Sequence, residues 1–168
     1  MFFQVFAEET LPPVLLNQGP SLCGEALVVN LDTTMKPLPP VAETISQGGR
    51  SGSVETADDG FRIDFKSPSE KVPEGITPEH LFGAAWAACF NGAVKYIAKE
   101  SGHADDGITV TARVQLHPEG PQPFSVELLV TIPGIDEHKA ERVVAKAHEI
   151  CAYSKATKGN VAVKFTLN

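Results

Sequence analysis

Residues 81–94 read LFGAAWAACFNGAV, fourteen positions without a single charged side chain. Immediately upstream, Thr77-Pro78-Glu79 is a helix start. Threonine suits the cap, proline suits the first helical position, and a carboxylate suits the positive end of the helix dipole. The pattern predicts one long helix from Pro78 to about Ser101, closed by Gly102. Its first half is apolar on every side and must be surrounded by protein, while Lys95, Lys99 and Glu100 carry the far end to solvent. The run is shorter than the roughly 20 residues a bilayer requires and holds Gly83, Asn91 and Gly92, so it is a core helix and not a membrane span.

What packs around such a helix is legible on both sides of it. VAETIS and GSVETA flank QGGR, a glycine turn that sets Arg50 at the tip or exit of a hairpin. GFRIDFKSP alternates Phe61, Ile63 and Phe65 against Arg62, Asp64 and Lys66, a strand with one buried face. Downstream, ITVTARVQLH and FSVELLVTIP alternate as two strands joined by PEGPQP. In IDEHKAERVVAKAHEICAYS, Ala140, Val143, Val144, Ala147 and Cys151 fall on one helical stripe, with Asp136 as cap, and NVAVKFTL closes the chain as a strand. Strands, buried helix, strands, helix, strand is an α+β order. The length, 168 residues, supports a single domain, taken as residues 39–168. Residues 1–38 form an N-terminal extension of unknown role, where FFQVF and EALVVNL read as short strands before the prolines of MKPLPP.

A net charge of −7 argues against nucleic acid as a partner, since phosphate binding needs a basic surface. The start, MFFQVFAEETLPP, lacks the positive segment of a secretory leader, so the expected location is cytoplasmic. Three cysteines, Cys23, Cys89 and Cys151, are too few for a disulfide framework and too widely spaced for a zinc pair. The histidines show no metal-ligand spacing. His148 precedes Cys151 by one helical turn, a pattern compatible with thiol hydrolysis, but sits about 60° from it around the helix.

Cys89 and Cys151 both point into apolar surroundings on this reading. Two ordinary core thiols satisfy the pattern; so does a reactive pair, provided the fold brings their Cα atoms within about 7 Å. Burial in apolar surroundings raises a thiol pKa, so a reactive cysteine needs compensation. Cys89 lies too deep in its helix for the N-terminus to help. Arg50 on its glycine turn is the candidate cation, and a plain surface arginine is the alternative.

GGRSG, TPEHLFGAAWAACF and AHEICAYSKATKGNVAV, in that order and spacing, resemble the organic hydroperoxide resistance (Ohr) proteins of the OsmC superfamily over residues 41–168. The resemblance implies antiparallel sheets around a buried central helix, in an intertwined homodimer with active sites at the subunit boundary. It further implies a cysteine-based peroxidase acting on organic hydroperoxides, without metal or bound organic cofactor. Cys89 is then the peroxidatic cysteine and Cys151 the resolving one. Arg50 pairs with the thiolate, and Glu79 holds that arginine. Dihydrolipoamide or a lipoylated protein supplies electrons, and apolar neighbours such as Trp86 and Phe90 favour an alkyl or lipid peroxide. The alternatives are a peroxidase of the osmotically inducible branch and a non-catalytic redox-sensing or lipid-binding relative.

The chain departs from the family pattern in two ways. Ala152 stands where a proline commonly follows the second cysteine, and neither residues 1–38 nor Cys23 has a counterpart. Geometry poses one question besides. On an unbroken helix Glu79 and Cys89 lie about 15 Å apart along the axis. Either Arg50 spans part of the gap, or the helix breaks near Gly83, or Glu79 serves a partner subunit.

Overall fold

A computed structural model describes residues 41–66, 75–117, 119 and 123–168. The chain divides into two units, Met1–Pro40 and Val41–Asn168. The strands expected in FFQVF and EALVVNL, and Cys23, lie outside the described residues.

The second unit opens with a small antiparallel sheet of β1 (Thr44–Gln47), β2 (Ser53–Thr56) and β3 (Arg62–Asp64), in the order β1-β2-β3. A one-turn 3-10 helix, Gly49–Ser51, joins the first two strands and carries Arg50. The turn demands glycine. Gly48 and Gly49 take φ of 77° and 60°, and a Cβ on Gly52 would strike the Gln47 carbonyl oxygen at 1.8 Å. Expected inward positions on β3 are only partly so, because Phe65 is buried while Phe61 stays exposed. Every residue of β1 is exposed within this chain.

The long helix, α1, runs Pro78–Glu100 with Thr77 as cap. His80 occupies the third helical position, where its Nδ1 accepts the Thr77 backbone N–H at 3.1 Å, a reciprocal cap closed by imidazole instead of carboxylate. Ser101 and Gly102 (φ 72°) end the helix as expected. Within one chain, burial covers one side of this helix. Trp86, Phe90, Ala93, Val94 and Ala98 form the inward stripe, whereas Ala84, Ala88 and Gly92 lie exposed along the opposite one. A stripe of small residues reads as apolar in sequence, yet one chain covers only the face bearing the large side chains.

That inward face packs on β4 (Thr109–Leu116) and on α2 (Glu137–Ile150). Gly83 lets the helix approach the sheet, since a Cβ there would meet Val114 Cγ2 at 3.1 Å. β5 (Phe124–Thr131) sends Val126, Leu128 and Val130 into the core, and α2 contributes Ala140, Val143, Val144 and Ala147, the stripe predicted from spacing. Asp136 caps α2 by accepting the Lys139 N–H at 3.0 Å.

A short helix, α3 (Ala152–Thr157), and β6 (Ala162–Leu167) complete the unit, with the second sheet ordered β4-β5-β6. Its strands are not all antiparallel: β4 pairs with β5 antiparallel, but β5 pairs with β6 parallel. The helices between β5 and β6 return the chain to its starting end, as a parallel neighbour requires.

Candidate active site

Cys151 is not on a helix. Its ψ of 125° ends α2 at Ile150 and starts α3 at Ala152, so one residue caps both. Its N–H still reaches the Ala147 carbonyl (2.9 Å), and its carbonyl accepts the Lys155 N–H (3.0 Å). The single helical segment expected through Ser154 is thereby corrected to two helices, with the cysteine at the joint. This break lets α3 turn its first amides toward α1.

The two sulfurs meet there. Cys151 Sγ lies 3.3 Å from Cys89 Sγ, and both cysteines are free. A disulfide bond measures about 2.05 Å, so the thiols are in contact but unbonded. Cys151 is buried at 2% exposure, whereas Cys89 is partly open.

Their surroundings drive the two thiols in opposite directions. Burial pushes the Cys89 thiol up, but the Tyr153 backbone amide, the Cys151 thiol and the Ala152 backbone amide together outweigh it and hold Cys89 below the usual thiol range. Burial also pushes Cys151 up. There the Ser154 amide and hydroxyl oppose it, the Cys89 sulfur adds to it, and the thiol ends above its ordinary value. Of the pair, Cys89 is the better thiolate. It is also the more accessible, which is what a sulfur that attacks first requires.

The other two predicted residues also meet. Arg50 Nη2 lies 2.5 Å from Glu79 Oε1. Burial pushes the Glu79 carboxyl up, but Arg50 and the Thr77 hydroxyl outweigh that and hold it below its usual range. Arg50 is not among the described groups acting on the Cys89 thiol. α1 runs without a break past Gly83, which removes the interrupted-helix possibility and leaves Glu79 about 15 Å from Cys89 along one axis. One chain thus holds two separate pairs, Cys89 with Cys151 and Arg50 with Glu79. A groove of about 350 Å³ beside Glu79 follows the exposed side of α1, lined by Gly83, Ala84, Ala87 and, from β4, Val114.

The α3 amides are functional groups that the sequence reading missed. The signal for them is the alanine after Cys151, at the first helical position that a proline would also fit. His148 turns its ring edge-on to Phe165, centroids 4.9 Å apart. Among the described residues there is no cluster of His, Cys, Asp and Glu able to hold a metal, and no helix is long and apolar enough to cross a membrane.

A family model described as OsmC-like protein matches residues 69–166. The chain belongs to the OsmC-like family. The organic hydroperoxide resistance protein OhrB of Bacillus subtilis is 39% identical over 132 residues, covering 75% of this chain and 96% of its own. An organic hydroperoxide resistance protein-like relative from Staphylococcus aureus is also 39% identical, covering 72% and 89%. The crystal structure of the same OhrB superposes with a TM-score of 0.69 at 36% identity, covering 76% of this chain and 97% of that one. An organic hydroperoxide resistance protein from Elizabethkingia anophelis superposes at 0.70 with 32% identity, covering 80% and 99%. The α+β arrangement is that of known Ohr structures. Their names support a peroxidase-related role for this member.

Proposed function

We propose that the protein is a thiol-dependent peroxidase that reduces organic hydroperoxides to alcohols, with Cys89 as peroxidatic and Cys151 as resolving cysteine. The observation that carries this reading is the 3.3 Å sulfur separation between one thiol shifted down and one shifted up.

Each step follows from those properties. The Cys89 thiolate attacks the distal peroxide oxygen; the O–O bond breaks, an alkoxide leaves and is protonated, and Cys89 becomes a sulfenic acid. Cys151 then displaces hydroxide from that sulfur, and a disulfide protects Cys89 from irreversible oxidation. An external dithiol of the dihydrolipoamide kind, free or on a lipoylated protein, reopens the bridge by exchange. No metal or bound organic cofactor enters these steps. A cycling dithiol works best in a reducing compartment, which favours the cytoplasm.

The proposal extends to a homodimer that joins these two pairs into one site. α1 offers the small exposed stripe of Ala84, Ala88 and Gly92, which allows close approach of a second helix. Ala84 lies midway between Glu79 and Cys89 in sequence. Two antiparallel copies of α1 crossing at Ala84 therefore set the Glu79–Arg50 pair of one subunit opposite Cys89 of the other. The guanidinium then stabilises the thiolate and the charge developing on the peroxide. The fully exposed β1 strand, with Ile45 at 51% exposure, gives the same partner a second surface to cover.

A coupled assay tests the activity. Steady consumption of cumene hydroperoxide with dihydrolipoamide, abolished by Cys89→Ser, is the expected result. One stoichiometric oxidation without turnover indicates a sensor instead.

A further inference from the structure

The groove beside Glu79 holds one side chain able to donate a hydrogen bond. Of the described residues lining its 350 Å³ or so, Glu79 as a carboxylate only accepts, and all but His80 of the others are glycine, alanine or valine. A largely apolar cleft with one polar contact orients an oxygen-bearing ligand through that contact.

The cap of α1 decides which nitrogen of His80 carries the hydrogen. The Thr77 backbone N–H can only donate, and it meets His80 Nδ1 at 3.1 Å, so Nδ1 is the bare nitrogen. The Thr77 hydroxyl lies 3.0 Å from the same atom and can donate to it as well. A neutral imidazole has one N–H, which here belongs to Nε2. Nε2 lies across the ring from the cap, and no residue among those described takes its hydrogen. Capping thus fixes the ring and its tautomer together, and it leaves a donor on the free edge of an exposed side chain.

We propose that His80 Nε2–H donates a hydrogen bond to the alkoxy oxygen of the hydroperoxide as the O–O bond breaks. Its role deepens the peroxidase reading and rests on it and on the paired α1 helices, whereas its tautomer rests on neither. In the antiparallel pairing about Ala84, position 80 of one copy faces position 88 of the other, beside that copy's Cys89.

The Cys89 thiolate forms a bond to the distal oxygen, and the electron pair of the O–O bond leaves on the alkoxy oxygen. That oxygen becomes an alkoxide and takes a proton from water, while His80 keeps its own. A donor aimed at an oxygen that gains charge holds the transition state more tightly than the bound peroxide. Arg50 then supplies charge at the sulfur, and His80 supplies a neutral donor at the leaving group.

The test uses the full chain with three replacements at one position. His80→Nτ-methylhistidine keeps Nδ1 and puts a methyl on Nε2. His80→Glu keeps an acceptor for the Thr77 N–H and has no donor, and His80→Gln has both. Stopped-flow kinetics measures the second-order rate constant for oxidation of reduced protein by cumene hydroperoxide. The first two replacements each lower it roughly tenfold, the scale of one hydrogen bond to a charged group, and His80→Gln lowers it less than either. Urea midpoints of all three stay near wild type, because the cap survives. The methyl bulk is missing from His80→Glu and the extra charge from Nτ-methylhistidine, so a shared fall reports the lost donor. Should His80→Glu lose stability, Nτ-methylhistidine carries the test. A second arm needs no peroxide: nitrogen-15 correlation spectra of histidine-labelled protein show the His80 hydrogen on Nε2, and titration with cumyl alcohol moves that signal. A hydrogen on Nδ1 overturns the proposal, as does an equal fall in all three variants. A wild-type rate constant in both donor-free variants sinks the His80 role alone and leaves the peroxidase reading intact. If cumyl alcohol moves Nε2 while the wild type consumes no hydroperoxide, the peroxidase reading fails and the groove donor stands. Neither consumption nor a moved signal removes both.

Discussion

Arg50 and Glu79, 29 positions apart in sequence, are joined by a contact of 2.5 Å between guanidinium and carboxylate. Arg50 is 52% exposed, so solvent screens the pair and its worth to folding is about 1 kcal/mol or less. On the proposed mechanism its value lies in aiming a cation. Glu79→Gln keeps the side-chain shape and removes the charge. It is expected to lower kcat/KM for cumene hydroperoxide on the order of tenfold, the scale of one charge-assisted hydrogen bond. Urea denaturation of the same variant should stay within about 1 kcal/mol of wild type. A large stability loss with intact kcat/KM makes the pair purely structural.

Ala152 has a consequence that its absence of a side chain hides. Its backbone N–H is one of the groups that hold the Cys89 thiol down, and a proline there has none to give. Proline suits the first position of α3, so Ala152→Pro should fold normally. The pH midpoint for alkylation of Cys89 in that variant is expected to rise. An unmoved midpoint means that the Ala152 amide does not act on the sulfur.

How much of this was readable beforehand can be judged residue by residue. Thr77-Pro78-Glu79, Gly102, Asp136 and the α2 stripe announced their roles because caps and helical periodicity are local signals. The break at Cys151 was not readable, since Ile150-Cys151-Ala152 has no residue that forbids a helix and the periodicity continues through it. The parallel pairing of β6 was hidden for a related reason, being set by where the crossover helices deliver the chain. The Cys89–Cys151 and Arg50–Glu79 pairings came from family resemblance. Nothing in composition brings residues that far apart together. Sequence offers Arg50 as the cation for the Cys89 thiol, whereas the groups that hold this thiol down are the Tyr153 amide, the Cys151 thiol and the Ala152 amide.

The exposed stripe on α1 makes the proposed homodimer testable. Ala88 is exposed at its centre, so Ala88→Arg puts two bulky cations where two helices must touch. Light scattering is expected to give a monomer with a large loss of hydroperoxide turnover, while far-UV dichroism stays near wild type. A dimer with full activity excludes this face as the interface.

Glu127 controls an acid-sensitive contact on the outer face of the second sheet. Lys164 (2.9 Å) foremost, then Thr166 (2.8 Å) and Arg113 (3.2 Å), hold its carboxyl down to about 2. The folded value lies below the ordinary 4.5, so the carboxylate favours folding at every pH above about 4.5, and that contribution disappears as pH falls from there through about 2. Glu127→Gln should flatten the dependence of stability on pH within this window and leave its shape above it unchanged. Urea midpoints between pH 2 and 6 check this, and an unaltered slope rules out the assigned role.

The most direct measurement exposes reduced full-length protein to one equivalent of cumene hydroperoxide and maps its cysteines by mass spectrometry. A Cys89–Cys151 disulfide is predicted in wild type, with sulfenic acid at Cys89 in the Cys151→Ser variant and no oxidation at Cys151 in Cys89→Ser. Oxidation that begins at Cys151, or that leaves Cys89 a free thiol while peroxide is consumed, contradicts the account.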